Sequence, residues 1–240
     1  MIANERPERG QAIVYDPERI AHIAPEQFVA QSWPVVQAVS RDRGGRGGAY
    51  FVGETAPNLV LRHYCRGGLP GRLVRDHYWY LGERLTRSFR EWHLLHRLAD
   101  MGLPVPRPVA ARYVRSGLFY TADLITERLM NVRSLANLVT DTDDVDDRLR
   151  QVGATVRKFH DAGLWHADLN AHNIQLDTDR VWLIDFDRSR LHPRPVAGAS
   201  NLARLERSLR KIAQTAGQSL DERIGRAIRS GYSRPASGVA

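Results

Sequence analysis

In the segment His166-Ala167-Asp168-Leu169-Asn170-Ala171-His172-Asn173, an Asp is followed five positions later by an Asn, and a hydrophobic run, Val181-Trp182-Leu183-Ile184, ends in Asp185-Phe186-Asp187. These residue types at this spacing suit phosphoryl transfer. A loosely bonded transferring phosphoryl group needs little covalent help, so catalysis rests on positioning and on neutralising charge. One carboxylate takes the proton of the attacking hydroxyl, and an amide and a second carboxylate offer Mg²⁺ the hard oxygens it prefers. Asp168 fits the base, and Asn173 and Asp185 fit the metal ligands. The competing reading is a loop whose Asp and Asn residues only form turns.

Such groups need a rigid mount. Residues 174–177 read as a strand, Thr178-Asp179-Arg180 as a turn and residues 181–184 as the return strand, so the motif lies on a hairpin. Upstream, residues 35–40, 49–53 and 58–64 read as three strands of a small antiparallel sheet, with two more at 110–115 and 118–124. Residues 1–32 read as a mixed, partly helical lead-in with a helix start at Pro25-Glu26-Gln27-Phe28. From residue 86 to 101 the apolar positions Phe89, Trp92, Leu95, Leu98 and Ala99 recur at helical spacing, and Gly102 stops the helix. Residues 134–139 and 145–160 read as further helices, the second with Leu149, Val152, Val156 and Phe159 on one face. The stripe Leu202, Leu205, Leu209 and Ile212 predicts a packed helix near the C-terminus. Asp141, Asp143, Asp144, Asp146 and Asp147 favour a helix N-terminus, with metal binding as the alternative.

Gly44, Gly45, Gly47 and Gly48, between two predicted strands, form a turn whose backbone N–H groups can approach phosphates with no Cβ in the way, or a merely flexible loop. Kinases hold the nucleotide phosphates with a strand Lys paired to a helix Glu. The first lysine of this chain is Lys158. In Leu59-Val60-Leu61-Arg62-His63-Tyr64, Arg62 is the cation best placed for the task, with Glu91 as its expected partner and Glu83 as second choice. The alternative for Arg62 is an exposed strand charge. Residues 66–80, basic and aromatic, either grip an anionic acceptor or membrane surface, or form a solvated loop with a few core aromatics.

The 240 residues allow one sizeable domain or two small lobes sharing a cleft, and 42% hydrophobic with 26% charged residues is an ordinary globular composition. No apolar run reaches membrane-spanning length and the polar N-terminus does not read as a signal peptide, so a cytoplasmic protein is expected. The single cysteine, Cys65, excludes an intrachain disulfide and reads as a packing residue. A net charge of +8, carried by arginine except at Lys158 and Lys211, predicts an anionic partner. Nucleic acid is disfavoured, since no zinc-finger spacing or aromatic RNA-binding signature is present.

Together, Val60-Leu61-Arg62-His63-Tyr64 followed by Arg66-Gly67-Gly68, Phe89-Arg90-Glu91, Gly102-Leu103-Pro104-Val105-Pro106, and the two segments around Asp168 and Asp185 resemble the lipopolysaccharide-core kinase family. The resemblance covers roughly residues 35–235. The hairpin specifies only the kinase-like superfamily; the strand arginine and the Gly-Gly insertion point to the branch acting on 3-deoxy-D-manno-octulosonic acid (Kdo). It implies an α+β, protein-kinase-like two-lobe fold: an antiparallel-sheet N-terminal lobe at 1–130 with the Gly-rich nucleotide loop, and a mostly helical lobe at 131–240 carrying the catalytic hairpin. It further implies ATP- and Mg²⁺-dependent phosphorylation of the Kdo 4-hydroxyl on an anionic lipid A precursor, by a peripheral protein on the acidic cytoplasmic face of the bacterial inner membrane. In those terms Asp168 is the base, Asn173 and Asp185 bind metal, and Arg62 with Glu91 clamps phosphate. Asp187 replaces the Gly of Asp-Phe-Gly, and only 55 residues follow Asp185, so a phosphorylated activation loop and a platform for protein substrates are not expected. The alternatives are a kinase for another small-molecule or protein hydroxyl, and a catalytically dead kinase-like binding module.

Overall fold

A short, doubly buried run near the N-terminus is the main departure from these expectations. The computed structural model describes residues 3–5, 10–39, 48–56, 58–65, 76–141, 146–216 and 222–233. By their internal contacts the residues divide into two units, Met1–Arg97 with Pro106–Leu129, and Leu98–Val105 with Met130–Ala240.

The strands of the first unit are β1 (Ala3–Glu5), β2 (Gln11–Tyr15), β3 (Val35–Ala38), β4 (Ala49–Gly53), β5 (Leu59–His63), β6 (Tyr78–Trp79), β7 (Pro108–Ser116) and β8 (Phe119–Glu127). They form one antiparallel sheet, in the order β1-β2-β7-β8-β5-β4-β3, with β6 also paired to β8. The predicted lead-in is thus corrected: β2 pairs with β7, and all five of its residues are buried. A run buried on both faces shows no alternation, so periodicity does not reveal it. The helix expected at Pro25 is only two 3-10 turns, Pro25–Phe28 and Ala30–Ser32. Ile13, Ile23, Phe28, Trp33, Val52, Leu61, Val109 and Ile125 close a core against one face of this sheet.

Helix α1 (Arg87–Asp100) buries Phe89, Trp92, Leu95 and Leu98, as its spacing predicts. It ends as a Schellman turn: Leu103 N–H bonds Leu98 O and Gly102 N–H bonds Ala99 O, with Gly102 at φ +72.

In the second unit, β9 (Arg133–Ser134) precedes α2 (Leu135–Asp141) and α3 (Asp146–Asp161). Then follow β10 (Leu164–Trp165), β11 (Ile174–Leu176), β12 (Val181–Leu183), β13 (Arg190–Leu191), α4 (Ala199–Thr215) and α5 (Glu222–Ser233). β11 and β12 form the expected hairpin, with β9 along the outer edge of β11, while β10 pairs with β13. Helices α3 and α5 meet backbone to backbone: a Cβ on Gly153 would lie 2.0 Å from Ile228 O, and one on Gly231 1.9 Å from Arg150 O. Because α5 buries chiefly Gly225, Ala227, Ile228 and Gly231, it has no large apolar stripe and was not anticipated. On α4 the buried face is Asn201, Leu205, Leu209 and Ala213, so a polar residue stands at one of its apolar positions. No helix among the described residues is long and apolar enough to cross a membrane.

Candidate active site

Asp168 follows β10 in a loop held on every side by polar contacts within the second unit. Asn170 caps the short 3-10 turn Ala171–Asn173: its Oδ1 accepts from His172 N at 2.9 Å and Asn173 N at 3.2 Å, the usual reason for an Asn at a helix start. Its Nδ2 turns back to the Asp168 carboxylate at 3.1 Å. Asn173 Nδ2 donates to Asp168 O at 2.9 Å, which leaves the Asn173 amide oxygen as its acceptor. Ile184 N donates to Asn173 O at 3.0 Å, bringing the segment that carries Asp185 beside the loop. Asp185 sits at φ +62, a backbone region that costs a non-glycine residue energy and collects at functional sites.

His166 joins the two segments. Its Nε2 donates to Ile184 O at 3.2 Å and its Nδ1 accepts from Asp168 N at 3.2 Å, a pattern only the neutral ring can make. Burial holds its pKa below the ordinary imidazole value, against the opposing pull of the Ile184 carbonyl. The ring packs on Phe186, itself buried, at 5.0 Å between centroids.

Asn201, 1% exposed, braces this loop from α4. It accepts from His166 N at 3.2 Å, donates to His166 O at 2.7 Å, and takes His160 Nε2 at 3.0 Å. His160 Nδ1 accepts in turn from the Tyr232 hydroxyl at 2.9 Å. Asn201→Leu would strand a buried N–H, a C=O and an imidazole N–H at once. A loss of about 3 kcal/mol is expected, since each unsatisfied group costs roughly 1–3 kcal/mol. Urea unfolding measures it, and a loss below about 1 kcal/mol would show that the loop does not depend on this brace.

The first unit holds the charged pair expected from β5 and α1. Strand alternation puts Arg62 and Tyr64 on one face, while Leu61, just before them, belongs to the core on the other. The Arg62 guanidinium bonds the Glu91 carboxylate, Tyr64 O–H donates to that carboxylate at 2.6 Å, and Arg62 Nη2 donates to the Tyr64 hydroxyl oxygen at 3.1 Å. Glu91 is 3% exposed. Burial, and then the Glu91 charge, push the Tyr64 hydroxyl well above its ordinary pKa, so it remains the donor. Glu83, the second choice, instead accepts from Tyr113 O–H at 3.0 Å.

Beside Arg62, His63 contacts Asp123 at 2.7 Å and Asp76 at 3.3 Å; Arg112 also binds Asp123, at 2.9 and 3.1 Å. The Asp123 hydrogen bond is the chief cause of a raised His63 pKa. A raised folded-state pKa stabilises below the unfolded value of 6.5 and loses that contribution as pH rises through the folded value. His63→Gln should therefore cost more stability at pH 6 than at pH 9, in paired denaturant titrations; an equal cost at both would contradict a raised pKa.

Of the proposed phosphate loop, Gly48 is described and its carbonyl accepts from His63 N at 3.1 Å; Gly44, Gly45 and Gly47 lie outside the described residues. So do residues 66–75 of the basic insertion, whereas Trp79 at its end is exposed and stacks on Phe119 at 4.6 Å. Sequence reasoning missed Asn170, Asn201 and Arg204, whose guanidinium lies 3.1 Å from the Asp168 carboxylate. Asn170 left a local signal, as an Asn opening a short helical turn, and Asn201 a weaker one, as a polar residue among the apolar positions of α4. Among the described residues no cluster of three or more His, Cys, Asp or Glu side chains is positioned to hold a metal.

Curated relatives span nearly the whole chain. A protein of Xanthomonas oryzae pv. oryzae named 3-deoxy-D-manno-octulosonic acid kinase is 44% identical over 97% of this chain and 96% of its own. Proteins of the same name from Xanthomonas campestris pv. campestris and Vibrio parahaemolyticus are 48% and 41% identical, each over 84% of this chain and 81% and 85% of their own. Among solved structures, WaaP in complex with acyl carrier protein superposes with a TM-score of 0.57 at 18% identity, covering 87% of this chain and 83% of that one. The α+β, protein-kinase-like architecture is thereby shared. Residues 30–222 match the lipopolysaccharide kinase (Kdo/WaaP) family. The chain belongs to that family and is a kinase, transferring a phosphoryl group from ATP to a hydroxyl.

Proposed function

We propose that this chain phosphorylates the 4-hydroxyl of a Kdo residue on a lipid A precursor. The observation that carries the reading is the Asp168 loop, in which a carboxylate, an amide and the Asp185 segment are tied together by His166 and Asn173. Relatives above 40% identity that are named 3-deoxy-D-manno-octulosonic acid kinase support Kdo as the sugar that is phosphorylated.

In the reaction the acceptor oxygen attacks the γ-phosphorus of ATP and a new P–O bond forms. The bond from that phosphorus to the β,γ-bridging oxygen breaks, and its electron pair leaves with ADP. Asp168 receives the hydroxyl proton, and the contacts from Asn170 and to His166 hold the base in place. Asn173 and Asp185 would hold Mg²⁺, which supplies positive charge against the phosphates. Their hard oxygens suit an ion that takes its other ligands from phosphate and water. Arg62, fixed by Glu91 and Tyr64, binds the nucleotide phosphates, and Gly44, Gly45, Gly47 and Gly48 cover them. Residues 1–130 act as the nucleotide lobe and 131–240 as the catalytic lobe.

A lipid-linked anionic acceptor places the enzyme peripherally on the acidic cytoplasmic face of the inner membrane, where a net charge of +8 is favourable. Transfer from labelled ATP to Kdo-bearing lipid A precursor, with and without Mg²⁺, tests the reading. Metal-dependent transfer is expected. Its absence despite measurable nucleotide binding would move the assignment to another acceptor.

A further inference from the structure

The geometry points to Arg204 as the receptor for the carboxylate of the acceptor, and so to a residue that selects sugar acids over neutral sugars. This rests on the Kdo reading above and goes beyond it to the residue that recognises the acid.

Both oxygens of the Asp168 carboxylate are engaged as it stands: Oδ1 takes Arg204 Nη1 at 3.1 Å and Oδ2 takes Asn170 Nδ2 at 3.1 Å. Each oxygen carries two lone pairs, so the incoming hydroxyl can bond one of them beside its present partner or in that partner's place. Asn170 is the fixed contact, because the same side chain caps the following 3-10 turn with two further hydrogen bonds. Arg204 reaches in from α4 by a single bond, and the pair is open to water, with side chains 45% and 55% exposed. An exposed ion pair contributes little stability, so its exchange for another anion is cheap.

A guanidinium carries five N–H donors in a planar fork that matches a carboxylate bidentately, and Asp168 occupies one. An acid acceptor can take that fork while its ring hydroxyl takes the vacated Oδ1. The acid and the hydroxyl of one sugar ring then meet a cation and a base that already lie 3.1 Å apart. A neutral sugar offers the guanidinium no anion to bind.

The test pairs two proteins with two acceptors: wild type and Arg204→Gln, each with the Kdo-bearing lipid A precursor and with the same acceptor converted to its carboxamide. Wild type should lose roughly ten- to hundredfold in kcat/KM on going from acid to amide, mostly through acceptor KM. Arg204→Gln should lose a similar factor on the acid, change less than threefold on the amide, and leave the KM for ATP unaltered. Arg204→Lys, which keeps the charge without the fork, should fall between. Arg207→Gln, an exposed arginine on the same helix, controls for net charge and should match wild type. An equal loss on both acceptors would overturn the inference and place Arg204 on the base or the transferring phosphoryl group; so would an unchanged KM for the acid. If wild type transfers to neither acceptor, the Kdo reading itself fails, a result the first arm gives separately.

Discussion

Asp168→Ala is expected to lower kcat by at least a thousandfold while changing the affinity for ATP by less than twofold. A positioned general base contributes about 10²–10⁴-fold, and in the proposed mechanism Asp168 also orients the attacking oxygen, so its loss removes more than proton transfer alone. The substitution should be silent in folding. The carboxylate is exposed, and its two side-chain partners, Asn170 and Arg204, remain otherwise anchored or solvated without it. The loop is held instead by backbone atoms: Asp168 N to His166 Nδ1, and Asp168 O to Asn173 and Asn170. Alanine keeps both groups. Steady-state transfer, with nucleotide affinity measured in parallel by fluorescence titration, separates the two effects. Activity within tenfold of wild type would show that another group takes the proton. Lost nucleotide affinity would show instead that the residue belongs to the ATP site.

What was legible in the sequence follows from the range of the forces involved. The hairpin of β11 and β12 and the helix α1 carry strong periodicity over a few residues, and each stands within two residues of its expected limits. Arg62 and Glu91 were pairable on paper because strand alternation fixes one face and α1 supplies few acids. β2 escaped because a five-residue strand buried on both faces shows no pattern, and α5 because its packing face is made of glycine and alanine. Asn201 and Arg204 lie 35 and 36 residues beyond the residues they contact, and nothing local marks Arg204. In retrospect Asn201 has one signature, a polar side chain in register with Leu205 and Leu209 on an otherwise apolar helix face, where burial without partners would be prohibitive.

Arg62→Ala should reduce both stability and nucleotide use, and a companion variant separates them. Glu91 is 3% exposed, and removing its cation leaves a buried carboxylate with the Tyr64 hydroxyl as a remaining partner. Breaking a buried pair from one side costs about 3–5 kcal/mol, and the surviving Tyr64 bond together with the 23% exposure of Arg62 puts this case near 3 kcal/mol. kcat/KM for ATP should fall at least tenfold, because a planar fork fixed by Glu91 and Tyr64 is preorganised for phosphate where a mobile cation is not. Combining Arg62→Met with Glu91→Gln removes both charges while keeping an acceptor for Tyr64. Well-matched neutral replacement of a buried pair is often close to neutral in stability, so the double variant should recover most of the lost unfolding free energy. Phosphoryl transfer should stay low, since the cation proposed to bind the nucleotide phosphates is still absent. Urea unfolding and ATP kinetics on the same three proteins decide the matter: recovery of activity along with stability would reduce the Arg62–Glu91 pair to a structural strut between β5 and α1.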